Sequence, residues 1–277
     1  MPELPEVETV RRGLNQLTLQ QKIKGGEVLL KRSLAYPVSV PEFWSQLEGA
    51  AIANWQRRGK YLIAQLSNSA FLGVHLRMTG QLLWVRQNDP LQKHTRIRIF
   101  MGEQKELRFV DIRTFGKVWL VPPQQEITEV ITGLKKLGPE PFDSQFSAQY
   151  LAQKLNKTGR SIKVALLDQA IVAGIGNIYA DEALFKSRIH PKTIAKNLNI
   201  AQVSSLHEAI IEVLQTAIDK GGTTFSDFLN LLGVSGNYGD SALVYGRKGE
   251  SCHLCGAKIQ RIKLGGRSSH FCPKCQA

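Results

Sequence analysis

Two Cys-x-x-Cys pairs, Cys252-His-Leu-Cys255 and Cys272-Pro-Lys-Cys275, constrain this chain more than any other feature. Sixteen residues separate them, a spacing that lets two tight turns present four thiolates tetrahedrally. The chain has no other cysteine, and a secreted disulfide framework is not distributed this way over such a length. A closed four-sulfur site favours one structural Zn²⁺ ion held by Cys252, Cys255, Cys272 and Cys275, with a rubredoxin-like iron site as the alternative for the same ligands. Arg261, Lys263, Arg267 and His270 fall between the pairs, so the hairpin also carries a basic face suited to phosphates.

The rest of the chain is basic too. Lys and Arg number 36 against 23 Asp and Glu, a formal charge of +13, which attracts polyanions because neutralising phosphates releases condensed counterions. Nucleic acid is the expected partner, although many basic proteins have none. No apolar run approaches the roughly 18 to 20 residues that cross a bilayer, and the N-terminal Met-Pro-Glu-Leu-Pro-Glu is not a basic leader. A cytoplasmic protein without a membrane partner is expected, with a monomer as the default state. Over 277 residues, 43% hydrophobic content allows two cores.

Val7, Val10, Leu14 and Leu17 stand at helical spacing behind Pro5 and acidic residues, predicting a helix almost at the N-terminus. From about Lys22 to Val121 the period shortens. Arg96-Ile97-Arg98-Ile99 alternates, and Phe71 to Leu76, Leu82 to Val85 and Gly116 to Val121 also read as strands. A β-sandwich or barrel-like sheet is expected over residues 1–135. Leu137-Gly-Pro-Glu-Pro-Phe142 reads as a linker within 136–143. Residues 144–248 read as helical, with Ser205 and Glu208 as a capping box and Lys220-Gly-Gly222 as a helix stop. A Gly, Ser and Asn-rich stretch between Gly221 and Gly249 is long enough for a mobile loop, and residues 249–277 form the metal ribbon. The fold class is α+β, in two domains.

With Met1 removed, Pro2 presents a secondary amine. An α-amino group with a pKa near 7.7 to 8.0 is partly neutral at physiological pH and can form Schiff bases with sugar aldehydes. Glu3 beside it can shuttle protons. The ordinary alternative is that Pro and Glu simply open a helix.

The motifs taken together separate these readings. Pro2-Glu-Leu-Pro-Glu-Val-Glu-Thr9, Arg58-Gly-Lys-Tyr61, His75-Leu-Arg-Met-Thr-Gly80, Asp111-Ile-Arg-Thr-Phe-Gly116, Gly174-Ile-Gly-Asn-Ile-Tyr-Ala-Asp-Glu-Ala183, Val244-Tyr-Gly-Arg247 and the terminal ribbon resemble, in order and over nearly the whole chain, the formamidopyrimidine-DNA glycosylases. The resemblance implies an N-terminal β-sandwich, a helix-two-turn-helix domain and a zinc finger, with DNA in the cleft between the domains. It implies a bifunctional glycosylase and abasic-site lyase that flips an oxidised purine, 8-oxoguanine or a formamidopyrimidine, out of double-stranded DNA.

By the same resemblance, Pro2 is the nucleophile at C1′, Glu3 its acid/base partner and Lys60 a second proton-transfer and phosphate-contacting group. Met78, Arg113 and Phe115 fill the space of the flipped base. Asn177, otherwise an N-cap, binds backbone phosphate, while His94 and Lys163 match DNA-contacting positions that singly would be surface charges. Arg267 takes part in the second elimination, and Arg160 is included by proximity. The loop from Thr223 to Tyr245 corresponds to the segment that closes over the base, with no single residue assigned to reading it. Two rivals remain: the endonuclease VIII type, which uses the same proline on oxidised pyrimidines, and a non-catalytic nucleic-acid-binding protein, for which a retained Met1 would speak.

Overall fold

The computed structural model describes residues 1–223, 231–233 and 236–276. Residues 224–230 and 234–235 of the expected base-closing loop therefore lie outside the described residues. The chain divides into two compact units, Met1–Lys135 with Gly221–Gly236, and Lys136–Lys220 with Asn237–Ala277.

In the first unit α1 (Leu4–Leu17) opens the chain, with a Pro in its first turn and Glu3 as N-cap. β1 (Ile23–Val28), β2 (Leu34–Tyr36), α2 (Val40–Leu47), β3 (Ile52–Arg58), β4 (Tyr61–Leu66), β5 (Phe71–His75), β6 (Gly80–Arg86), β7 (Thr95–Met101), β8 (Lys105–Asp111), β9 (Lys117–Val121) and the short α3 (Ile127–Val130) follow. The strands form a four-stranded sheet, β1-β7-β8-β6, and a five-stranded sheet, β2-β9-β5-β4-β3. Among the described residues only the β2 and β9 pairing is parallel.

Alternation explains the sandwich. Along β7, Thr95, Ile97, Ile99 and Met101 are buried while Arg96, Arg98 and Phe100 are partly exposed, so one face can enter a core. Ile97, Ile99, Leu107 and Phe109 of one sheet join Trp55, Leu62, Ala64 and Leu72 of the other in a single cluster, which Val7, Val10 and Leu14 of α1 extend. Leu231 belongs to this cluster as well, and its carbonyl accepts the Trp84 N–H at 2.9 Å.

The second unit holds α4 (Ala148–Leu155), α5 (Ile162–Leu166), α6 (Asn177–Lys186), α7 (Ile200–Asp219) and the hairpin β10 (Gln260–Leu264) with β11 (Arg267–Phe271). Leu137–Glu140 carries no regular element. α6 buries every residue from Ile178 to Phe185, as a helix enclosed on all sides must.

α7 departs from the expected cap. Asn199 and Gln202 form the capping box, with Asn199 Oδ1 accepting the Gln202 N–H at 2.8 Å and Gln202 Oε1 accepting the Asn199 N–H at 3.0 Å. Ser205 and Glu208 lie inside the helix, because the same cap chemistry is available six residues earlier. Its far end is as expected: Gly221 and Gly222 take φ values of 74° and 79°, which favour glycine. Among the described residues no helix is long and apolar enough to cross a membrane.

Candidate active site

α1 and β3 run side by side and are pinned at two levels. Asn15 acts as a strand partner for Trp55, donating from Nδ2 to its carbonyl and accepting its N–H at Oδ1, both at 2.9 Å. Nearer the N-terminus of α1, Glu8 Oε2 meets Arg57 Nε at 3.2 Å. Moving from Asn15 to Glu8 climbs about 10 Å of helix while Trp55 to Arg57 climbs about 7 Å of strand, so both elements lead toward one end. At that end lie Pro2 and Glu3 on one side and the Gly59-Lys60 hairpin loop on the other. Gly59 takes φ 54°, the left-handed value that a first loop residue needs in a two-residue hairpin.

Pro2, Glu3 and Lys60 are all buried, the last two at 2% and 7% exposure. Glu6 Oε2 accepts the Glu3 N–H, while its Oε1 accepts the Thr223 N–H, each at 2.8 Å. One carboxylate thereby fixes the helix start and the described beginning of the loop after α7.

The sheet registers bring the other candidates to the same end. Tyr61 pairs with His75, His75 with Lys117, and Gly80 with Asp111, so the turns carrying Met78 and Arg113-Thr-Phe115 are neighbours of the Lys60 hairpin. Asp111, fully buried, ties the two turns together: Thr79 Oγ1 donates to its Oδ1 at 2.5 Å and the Gly116 N–H to its Oδ2 at 2.8 Å. Thr79 Oγ1 in turn accepts the Arg113 N–H at 3.0 Å.

Met78 is half-buried, and Phe115 is 50% exposed with the Arg113 guanidinium 4.9 Å from its ring centre. Met78 and Phe115 are therefore not the core residues that their types alone suggest. His94 joins the cluster through its carbonyl, which accepts the Asp111 N–H at 2.9 Å, and through Nδ1, 3.0 Å from Arg96. Replacing Asp111 with Ala strands one buried donor, the Gly116 N–H, and one part-buried donor, the Thr79 hydroxyl, and urea denaturation is expected to show a loss of about 1 to 3 kcal/mol. A loss below about 0.5 kcal/mol, the range of ordinary surface changes, would remove Asp111 from this role.

His75 was not among the candidates read from sequence. Burial first, then the charges of Arg77 and Lys60, lower its pKa from 6.5 to about 3, so the ring is neutral. Its Nδ1 accepts the Arg77 N–H at 3.0 Å, which leaves Nε2 carrying the proton; Tyr61 packs edge-on at 4.5 Å. Because the folded pKa lies below the unfolded one, the unfolded chain takes up the proton first as pH falls. His75 thus contributes its full stability above about pH 6.5 and loses it progressively toward pH 3. The variant His75→Gln is expected to flatten the fall in melting temperature between pH 7 and 5, and an unchanged slope would contradict the assignment.

In the second unit three candidates, Asn177, Lys163 and Arg267, gather around the start of α6. Asn177 is the first residue of that helix and Gly176 is the N-cap, which corrects the capping reading. Asn177 Nδ2 instead donates to the Ser268 carbonyl at 2.9 Å, beside exposed Arg267, and its buried Oδ1 has no hydrogen-bond partner among the described residues. Lys163 is not the surface charge that its type suggests. Its side chain is 1% exposed, paired with Asp181 at 2.6 Å and bonded to the Asn177 carbonyl at 2.6 Å; a buried ammonium held this way orients Asn177. Arg160 is exposed and pairs with Asp168 at 2.9 Å.

Asp181 and Glu182 also escaped sequence reasoning, although both stand in a quoted motif. Asp181 accepts from Ser269 Oγ at 2.7 Å and from the His270 N–H at 2.8 Å, locking β11 and thus Arg267 to α6. Glu182 takes the backbone N–H groups of Leu243, Val244 and Tyr245 at 2.7, 2.9 and 2.8 Å. A pair of adjacent acids inside an otherwise apolar helix was the available signal.

The four cysteine sulfurs all lie within 4.8 Å of one another, with Cys252 to Cys275 at 3.9 Å and Cys255 to Cys272 at 3.4 Å. A tetrahedron with Zn–S bonds of about 2.3 Å has edges near 3.8 Å, and neither of these two separations approaches the roughly 2 Å of a disulfide. The donor set fits zinc. Cys252 and Cys272 also pack with Phe185, Val244 and Ile259 in a small core.

Comparisons with known proteins agree with the fold and with the four-cysteine cluster. Residues 1–118 match the formamidopyrimidine-DNA glycosylase N-terminal domain, 137–228 its H2TH domain, and 249–277 a zinc finger found in FPG and IleRS. The chain is 64% identical to the formamidopyrimidine-DNA glycosylase of Rippkaea orientalis over the full length of both. It also resembles two structures of Lactococcus lactis Fpg, one bound to DNA containing an abasic site (TM-score 0.91) and one of a point mutant bound to DNA containing Fapy-dG (TM-score 0.92). Each is 38% identical, with 99% of both chains covered.

Proposed function

Since this chain belongs to the formamidopyrimidine-DNA glycosylase family, we propose that it excises oxidised purines from duplex DNA and cleaves the resulting abasic site, with Pro2 as the nucleophile. The observation that carries the reading is the convergence of Pro2, Glu3, Lys60, Met78, Arg113 and Phe115 on one end of the first unit, reached through four separate chain segments. It is an enzyme of base excision repair whose partner is double-stranded DNA carrying an oxidised purine or an abasic site, and its C-terminal ribbon holds one structural zinc ion.

The Pro2 amine attacks C1′ of the flipped nucleotide as the bond to the base breaks and the base leaves with a proton; the C1′–O4′ bond then opens as O4′ takes up a proton, leaving an iminium at C1′. Glu3 moves protons beside it. Lys60 is the second proton-transfer group at this covalent step and contacts phosphate; the iminium then accepts electrons while the 3′ and 5′ phosphates leave in turn, with Arg267 assisting the second elimination. Met78 and Phe115, apolar at exposed turns, enter the space of the base, and Arg113 bonds the orphaned cytosine. His94, Asn177 and Arg160 face phosphates, and Lys163 acts through Asn177. Residues 1–135 form the catalytic domain, 136–143 the linker, 144–248 the helix-two-turn-helix domain with the base-closing loop and 249–277 the finger. The enzyme works inside the cell, at the nucleoid.

Incision of end-labelled duplexes tests the reading. Strand cleavage at 8-oxoguanine or formamidopyrimidine opposite cytosine, leaving phosphate at both ends of the gap, is expected. Cleavage confined to oxidised pyrimidines would favour the endonuclease VIII reading, and tight binding without cleavage a non-catalytic protein.

A further inference from the structure

We propose that Glu8 and Arg57 form a brace that sets the register between the Pro2 end of α1 and the Lys60 hairpin, making both positioning residues for the covalent step. The inference rests on the functional reading above. Arg57 spans the two elements with one guanidinium: Nε meets Glu8 Oε2 at 3.2 Å and Nη1 meets the Gly59 carbonyl at 3.1 Å. Gly59 is the residue that turns the chain so that Lys60 follows. A planar fork can hold both acceptors at once, whereas an ammonium presents a single point charge.

Glu8 has a simpler reading, as an i,i+3 and i,i+4 partner of Arg11 and Arg12 on a helix face. That reading leaves its surroundings unexplained. Exposed helical pairs add little and sit in solvent, yet Glu8 is 8% exposed and takes a third guanidinium from a strand. Burial pushes its pKa up, but hydrogen bonds from Arg11 and Arg12 and the charges of Arg11 and Arg57 outweigh it and hold the carboxyl at about 2. The carboxylate end of the brace stays ionised at any pH at which the enzyme works.

The test uses the full-length protein and single-turnover borohydride trapping on DNA carrying 8-oxoguanine, at saturating enzyme, with DNA Kd and melting temperature measured in parallel. Arg57→Met is expected to slow trapping about 10- to 100-fold, the cost of a misplacement near 1 Å, with Kd little changed, and Arg57→Lys to recover part of the rate. In Lys60→Ala, Arg57→Met is expected to add no further loss. A wild-type rate in Arg57→Met, independent losses that multiply in the double variant, or a Kd that rises as far as the rate falls would each overturn the brace. If Lys60→Ala alone traps at the wild-type rate, the Lys60 assignment fails and the brace loses its purpose, an outcome distinct from the others. Should Arg57→Met not fold, Glu8→Gln, which removes the charge and keeps the shape, carries the same expectations.

Discussion

With Met1 retained, or with Gly-Ser placed ahead of Pro2, the covalent step is expected to fall by on the order of 10⁴-fold or more, the scale of losing a nucleophile. Acylation turns the Pro2 nitrogen into a tertiary amide whose lone pair is delocalised, so it can neither attack C1′ nor form an iminium. The rest of the site survives the change. Glu3, Lys60 and the Asp111-tied turns are held by contacts made further along the chain, and DNA affinity is expected to stay near that of the processed protein. The measurement is a trapping time course beside a binding titration on the same preparation, with N-terminal sequencing to establish which species is present. Equal trapping by the extended protein would place the nucleophile elsewhere.

Loss of the zinc ion acts through a different part of the molecule. Cys272→Ser removes a fully buried ligand, and metal content is expected to drop from one ion per chain. Zinc binding supplies the folding energy of such ribbons, and the apolar core around Cys252, Phe185 and Ile259 is small. Without the ion, β11 is expected to detach from Asp181, taking Arg267 and the Ser268 carbonyl away from Asn177. On the proposed roles of Asn177 and Arg267, two charge-assisted phosphate contacts are then lost, so DNA affinity should fall on the order of 10²-fold. The sandwich of the first unit has its own core and should unfold normally. A zinc-free variant that binds DNA at full strength would show that the ribbon serves only itself.

Local chemistry explains what was readable in the sequence. The cysteine spacing, the N-terminal helix and the alternation in β7 are rules satisfied within a few residues, and the structure follows them. The start of α7 differs from the expected one because Asn199-x-x-Gln202 and Ser205-x-x-Glu208 obey the same rule, and Ile200, 82% exposed at the true start, breaks the apolar stripe that would have marked it. Lys163 reads as a surface charge because its partner, Asp181, lies 18 residues away in another helix and is brought close only by packing.

Asp111, Glu8 and Arg57 were hidden for a related reason. Each works by joining segments that the sequence separates, and a buried carboxylate looks the same as an exposed one in a string of letters. The family resemblance supplied the proposed reacting residues; the three-dimensional contacts show what holds those positions.

The most direct test traps the Schiff base with borohydride on a duplex carrying one 8-oxoguanine opposite cytosine, then maps the adduct by peptide mass. A single covalent link, at Pro2, is expected, and none with undamaged duplex. A link at Lys60 or any other lysine, or no link despite strand cleavage, would contradict Pro2 as the nucleophile.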